Sequence, residues 1–229
     1  MIVDPPLLTI RAGFSRPAKE IVAGFAGVPV GNIVDAMGGG GALDFRIKPL
    51  DSSSSSLVGV ALTCDCGPAD NLALFGALSV ARPGDILVAA TGSYAGAAVA
   101  GDLLLGMARN RGVAGLVTDG MVRDIVGLLG VGLPIYCAGV SANSPARNGP
   151  GTVGQPVNLS GSQIESGDIL VGDRDGIVVV PRDRAQGVLA ALHDVRAAES
   201  ALEAKVKDGL EIPDFVRAIL ASDRVRHIA

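Results

Sequence analysis

The stretch at 101–124, GDLLLGMARNRGVAGLVTDGMVRD, reads as a short helix, a turn, a strand and then a loop that delivers Arg123 and Asp124 side by side. Each end offers a carboxylate, Asp102 and Asp124. An arginine stands beside the second, and a helix start beside the first. These groups are of the kind that bind a metal ion and a small carboxylic acid together, so the rest of the chain is read for support of such a site.

Around this stretch, strand and helix signals alternate. LVGVALTC at 57–64 is apolar throughout, as expected of a buried strand. A helical stretch opens at Asp70-Asn71 and runs to about Val80. The turn RPGD at 82–85 leads into a strand at 86–90, and TGSYAGAAVAGD follows as a Gly/Ala loop that admits close backbone approach. A helix at 103–111, a strand at 115–118, a helix at 124–129 and a strand at 134–138 complete the series. Alternation of this kind predicts an α/β core with parallel pairing.

Upstream, two short helices are expected near 18–24 and 31–37, the second broken by four glycines at 38–41. Those glycines lack the lysine and following helix of a phosphate loop, so they read as a connector. Downstream, the Ser/Asn/Pro/Gly-rich 141–151 is an exposed loop. Short strands at 153–159, 168–171 and 177–180 follow, then a long helix over 182–207 and a last one over 213–220. SGDILV at 166–171 repeats the turn-into-strand device of RPGDILV at 82–88, which reads as recurrent turn chemistry. No linker interrupts the chain, which predicts one domain over 1–229 with a helical tail from 206.

Composition narrows the function. Aromatics are only 3% of the chain and the net charge is −4, so neither stacking platforms nor a basic face for nucleic acid is expected. No apolar run approaches the length of a membrane span, and the N-terminus lacks the pattern of a secretion signal. The three cysteines, Cys64, Cys66 and Cys137, form no disulfide framework and, with only two histidines, no zinc site. They read as buried, reduced thiols of a cytoplasmic protein.

Four residues could carry chemistry. Asp102 enters a helix and could simply cap it, yet the first-turn amides at Leu103 and Leu104 also suit a carboxylate ligand. Asp124 could cap the next helix or act at the end of a strand, where ligands collect in α/β folds. Arg123 is a bidentate partner for a substrate carboxylate. Glu199 falls on the apolar stripe Val188, Leu192, Val195, Leu202 and Val206 of the long helix, so it pairs, supports a metal, or meets a partner subunit. Carboxylates without histidine favour a hard cation such as Mg²⁺ or Mn²⁺. No serine elbow, dinucleotide fingerprint or adenosyl-methionine loop is present.

The runs GDLL at 101–104 and ARNRGVAGLVTDGMVRD at 108–124 resemble the signature of the RraA-like superfamily. Asp70-Asn71 and GDILVGDRDGIVVVP at 167–181 fit the same pattern, and the likeness spans about 20–205. The resemblance implies an α-β-β-α sandwich with mixed sheets, of the RraA-like or phosphohistidine-swivelling type, assembled as trimers or dimers of trimers. It further implies a class II, divalent-metal-dependent aldolase (Mg²⁺ or Mn²⁺) that cleaves a 4-hydroxy-2-oxo acid to pyruvate, with oxaloacetate decarboxylation as a side activity. On that resemblance Asp124 binds the metal directly, and Asp102 and a neighbouring subunit's glutamate, matching Glu199, hold metal-bound waters. Arg123 and the amides of Leu103 and Leu104 hold the pyruvyl group. The other branch implies an inhibitor of ribonuclease E that acts by protein–protein binding.

Overall fold

The apolar run at 57–64 becomes the long central strand of a nine-stranded mixed sheet in the computed structural model, which describes residues 4–228. In chain order, the first part holds β1 (Leu8–Ile10), α1 (Lys19–Ala23), α2 (Val30–Ala36), β2 (Lys48–Pro49), β3 (Leu57–Asp65) and α3 (Leu72–Ala77). The middle holds β4 (Asp85–Ala90), β5 (Ala98–Ala100), α4 (Asp102–Asn110), β6 (Gly115–Thr118), β7 (Met121–Val122), α5 (Ile125–Val131), β8 (Ile135–Cys137) and β9 (Gly139–Val140). The last part holds β10 (Gly151–Val153), β11 (Val157–Leu159), β12 (Ser162–Ile164), β13 (Ile169–Gly172), β14 (Ile177–Val180), α6 (Ala185–Lys207) and α7 (Asp214–Leu220).

Strands β3, β4, β6 and β8 run parallel, as the alternating pattern requires. The free side of β3 is shared. Its C-terminal end takes β10 antiparallel through Cys64 and Asp65, while its N-terminal end takes β13 through Leu57–Val60. Because β13 then pairs with β14, the sheet turns back over itself.

Side-chain alternation shows the layers this creates. Leu62, Cys64, Leu87, Ala89 and Leu116 pack with α3, α4 and α5. The alternate residues, Ala61, Ile86, Val88 and Val117, face inward and meet Leu170, Ile177 and Val179 of β13 and β14. The other face of β13 and β14, with Ile169, Val171, Val178 and Val180, packs on α2 and α6 through Ile33, Val188 and Leu192. Helices, sheet, sheet and helices therefore follow one another, the mixed α/β sandwich expected. A period of two in each buried strand is what divides one apolar run between two cores.

The resemblance of the two turns has a physical basis. Asp85 Oδ2 accepts the Arg82 amide at 2.9 Å, and Asp168 Oδ2 accepts the Glu165 amide at 2.9 Å. In each, a left-handed glycine, Gly84 (φ +88°) or Gly167 (φ +105°), precedes the aspartate. Each carboxylate also faces an arginine, Arg16 at 2.8 Å from Asp85 and Arg182 at 3.9 Å from Asp168.

Several sequence expectations need correction. The Gly/Ala segment at 91–102 contains a strand, β5, and the strand expected over 153–159 is two. β10 belongs to the main sheet, whereas β11 forms a separate hairpin with β12, because the chain turns through Gly154 (φ +79°) between them. The helix opening at Asp70-Asn71 ends at Ala77, short of Val80. The stripe on α6 is covered only as far as Leu192, and Leu202 and Val206 are 48% and 55% exposed.

Candidate active site

A separate, three-stranded parallel sheet builds the site. β5 pairs with β7, Ala98 opposite Met121 and Ala100 opposite Val122, and β7 pairs with β9. Parallel neighbours end on the same side, so Gly101-Asp102 leaves β5 beside Arg123-Asp124 leaving β7. The Arg123 amide donates to the Ala100 carbonyl at 3.0 Å and closes the pair. Both ends line one small open pocket, with Asn71, Phe75, Leu103, Leu104, Pro145 and Arg147.

Asp102 is not the cap of α4. Gly101 holds that position in extended conformation, and Asp102 is the first helical residue. Its Oδ1 accepts the Leu103 amide at 2.7 Å, so this amide of the expected carboxylate cradle is already engaged. The Leu104 amide finds no acceptor among the described residues. Burial of Leu104, Leu105 and Ala108 fixes α4 against the core, and each buried leucine contributes roughly 1.5–3 kcal/mol.

Asp124 precedes α5 but does not cap it with its side chain. It adopts the left-handed conformation, φ +61° and ψ +48°, which costs a non-glycine residue about 1–3 kcal/mol. Its Oδ2 instead lies 3.2 Å from Arg123 Nε. With Arg123 33% and Asp124 47% exposed, this ion pair adds little stability, and its effect is to orient both groups on the pocket wall. The far end of Arg123 donates through Nη1 to Ser144 Oγ.

Two glycines make room for the carboxylates. A Cβ at Gly101 would stand 2.7 Å from Asp124 Oδ2, and one at Gly127, in the first turn of α5, would collide with Asp102 Oδ2. Asp102 therefore lies against the start of α5, and Asp124 against the start of α4.

Asp70 fastens the third wall. Its Oδ1 accepts the Leu72 amide at 2.8 Å, and its Oδ2 accepts the amides of Asn148 and Gly149 at 2.6 and 3.1 Å. The loop expected at 141–151 is thereby held at the pocket, where it presents Pro145 and Arg147. Arg147 also lies over the Phe75 ring at 5.2 Å from its centroid. Asn71 stands next to Asp70, and its Nδ2 donates to the Val99 carbonyl of β5 at 3.0 Å.

Glu199 is not brought to this pocket within the chain. It is exposed on the outer half of α6, and its Oε2 accepts Asn32 Nδ2 at 2.5 Å. Among the described residues no three His, Cys, Asp or Glu side chains converge. The pocket itself offers two carboxylates, Asp102 and Asp124. An oxygen-only donor set suits a hard divalent cation, whose remaining positions would be taken by water, ligand oxygens or another copy of the chain.

Comparison with known proteins identifies the group of folds. The family model described as RraA-like, Aldolase/RraA, matches residues 30–179. The chain belongs to the RraA-like family. A Halalkalibacterium halodurans protein provisionally named 4-hydroxy-4-methyl-2-oxoglutarate aldolase is 35% identical over 196 residues, covering 86% of this chain and 93% of the relative. The crystal structure of Streptomyces coelicolor RraAS2, described as an unusual member of the RNase ES inhibitor RraA protein family, superposes with a TM-score of 0.74 at 28% identity. That match covers 83% of this chain and all of the other. The RNA-processing inhibitor RraA of Thermus thermophilus matches with a TM-score of 0.62 at 25% identity, over 67% of this chain and 93% of its own.

Within this RraA-like chain, the sequence missed Asn71 and Arg147 as pocket residues, and Gly101 and Gly127 as spacers. Asp70-Asn71 was visible as a helix start and as part of the family resemblance, but not as a pocket wall, because what recruits it is a contact 78 residues away in sequence, Asp70 to Asn148.

Proposed function

We propose that this protein is a divalent-metal-dependent lyase that cleaves a 4-hydroxy-2-oxo acid, such as 4-hydroxy-4-methyl-2-oxoglutarate, to pyruvate and a second oxo acid. Oxaloacetate decarboxylation is its expected side activity. The observation that carries this reading is the junction of β5 and β7, which sets Asp102, Arg123 and Asp124 on one pocket. The name of the Halalkalibacterium halodurans relative supports it.

Asp124 and Asp102 are the residues that would hold Mg²⁺ or Mn²⁺, Asp124 directly and Asp102 through water. The bound cation supplies Lewis-acid polarisation of the 2-oxo group. Arg123 pairs with the carboxylate of the 2-oxo end, and the unengaged Leu104 amide adds a donor there. Asp102, through a water, takes the proton of the C4 hydroxyl as the C3–C4 bond breaks and the C4 carbonyl forms. The bonding electrons pass to the pyruvyl fragment as an enolate, whose charge the Arg123 guanidinium offsets, and the proton taken at Asp102 returns through the water to C3 to complete pyruvate. Decarboxylation of oxaloacetate places negative charge on the same atoms.

Glu199 reaches such a site from a neighbouring subunit of a homo-oligomer, a trimer or dimer of trimers. The apolar surface around the pocket supports assembly, with Leu103 79%, Val126 88% and Leu129 50% exposed, as does the open stripe on α6. The test is pyruvate release from 4-hydroxy-2-oxo acids and oxaloacetate, with and without added Mg²⁺ or Mn²⁺.

A second reading, inhibition of a ribonuclease by protein–protein binding, is favoured by likeness to the Streptomyces member of an RNase ES inhibitor family and to the Thermus RNA-processing inhibitor. Capture of purified ribonuclease E together with silence in the pyruvate assay would favour it.

A further inference from the structure

The pocket carries two guanidinium groups, and its own chain engages only one of them. Arg123 is held by Asp124 and Ser144. Arg147 is exposed and makes no ion pair or side-chain hydrogen bond among the described residues. Its guanidinium lies 5.2 Å from the centroid of the Phe75 ring, another lining residue, within the reach of a cation–π contact. That contact leaves its N–H donors unspent. The backbone on both sides is tied to the start of α3. The Ala146 amide donates to the Ala69 carbonyl at 2.7 Å, and the Asn71 amide donates to the Ala146 carbonyl at 3.1 Å. Beyond Arg147, Asp70 accepts the amides of Asn148 and Gly149. A cation fixed in place with its donors free suits an anionic group of a ligand.

We infer that Arg147 pairs with the substrate's second carboxylate and thereby sets the balance between the two reactions, favouring cleavage over decarboxylation. This deepens the lyase reading and rests on it. Arg123 answers the carboxylate of the 2-oxo end, and the pocket's other charged side chains, Asp102 and Asp124, are themselves carboxylates. In 4-hydroxy-4-methyl-2-oxoglutarate the second carboxylate is a substituent of C4. It keeps its charge while the C3–C4 bond breaks and leaves intact on the second oxo acid, so Arg147 holds it equally before and during cleavage. In oxaloacetate the second carboxylate contains C4 itself. Its C3–C4 electron pair passes to the enolate, and the group departs as neutral CO₂. An ion pair made to that carboxylate in the bound state is given up on the way to the transition state. Arg147 therefore steadies bound oxaloacetate without speeding its decarboxylation.

The test measures kcat and KM for cleavage of 4-hydroxy-4-methyl-2-oxoglutarate and for oxaloacetate decarboxylation in the wild-type protein, Arg147→Met and Arg147→Lys. Methionine retains an apolar stem beside Phe75 and removes the charge. In Arg147→Met, kcat/KM for cleavage is expected to fall roughly 10- to 100-fold, chiefly through KM. For decarboxylation, kcat and KM should rise together, leaving kcat/KM within about threefold of the wild type. Arg147→Lys, which keeps the charge, should restore cleavage to within about tenfold. A purely structural role lowers both reactions together and overturns the inference, as does undiminished cleavage in Arg147→Met. Calorimetry checks the contact apart from turnover. Wild-type protein should bind 2-oxoglutarate at least about tenfold more tightly than 2-oxobutanoate, which lacks the second carboxylate, with that preference lost in Arg147→Met. Equal affinities in the wild type would refute it. A wild-type protein that turns over neither substrate sinks the lyase reading and the inference with it, whereas active wild type with an unmoved ratio sinks the inference alone.

Discussion

Asn32 Nδ2 donates to Glu199 Oε2 at 2.5 Å, which ties an exposed acidic residue on the outer half of α6 to a buried side chain of α2. The bond fixes a carboxylate on the surface, away from its own chain's Asp102 and Asp124. A glutamate held this way is presented outward, as a residue completing another copy's site has to be.

Subunit mixing tests that sharing. Asp124→Ala and Glu199→Ala proteins should each be inactive. After unfolding and refolding at equal amounts, random assembly restores about a quarter of the sites, since one interface then joins an intact Asp124 to an intact Glu199. No recovery in refolded mixtures of confirmed oligomers means that Glu199 does not act across a subunit boundary.

Gly127→Ala should separate activity from stability. Alanine is favoured over glycine inside a helix by about 1 kcal/mol, which offsets part of the cost of displacing Asp102, whose Cβ would lie 2.7 Å from the new methyl, so the melting temperature is expected to change little. The new methyl collides with Asp102 Oδ2, and pyruvate release is expected to fall at least tenfold. Equal activity in the variant removes Asp102 from the chemistry.

Arg123→Lys keeps the charge but loses the planar fork that meets Asp124 and Ser144 and that the proposed function assigns to the substrate carboxylate. A rise in KM for 2-oxo acids of about tenfold or more is expected, with a smaller change in melting temperature, because the exposed ion pair contributes at most about 1 kcal/mol. Steady-state kinetics over pyruvate-yielding substrates checks it.

The fold was legible where burial alone decides structure. β6 at 115–118 and β14 at 177–180 coincide with the expected strands, since a short continuous apolar run has few other ways to hide its side chains. β5 escaped because Ala98, Val99 and Ala100 sit among glycines and alanines, and β7 and β9 are two residues each, too short to show a period. Yet that small sheet is what joins Asp102 to Arg123 and Asp124. The site's residue types were readable from the sequence, and their junction was not. Pocket residues such as Asn71 and Arg147 depend on Asp70 holding a distant loop, for which no local pattern exists.

The cysteines give a pH signature. Cys64, Cys66 and Cys137 are all buried, and burial pushes each thiol up, Cys137 to about 11 from an ordinary 9.0. Above pH 9.0 the unfolded chain loses these protons before the folded one does, so the folded state binds more protons. Stability is therefore expected to be unaffected by these groups below that pH, and to fall as pH rises through it toward 11. Denaturant titrations between pH 8 and 10.5 measure the slope, and a thiol reagent should label the cysteines only after unfolding.

The most direct test of the account is pyruvate formation from 4-hydroxy-4-methyl-2-oxoglutarate by the wild-type protein and Asp124→Ala, each with EDTA and with Mg²⁺ or Mn²⁺ restored. The expected result is release by the wild-type protein only when metal is present, and a loss of at least 100-fold in Asp124→Ala under every condition. Activity that survives both EDTA and the loss of Asp124 would contradict it.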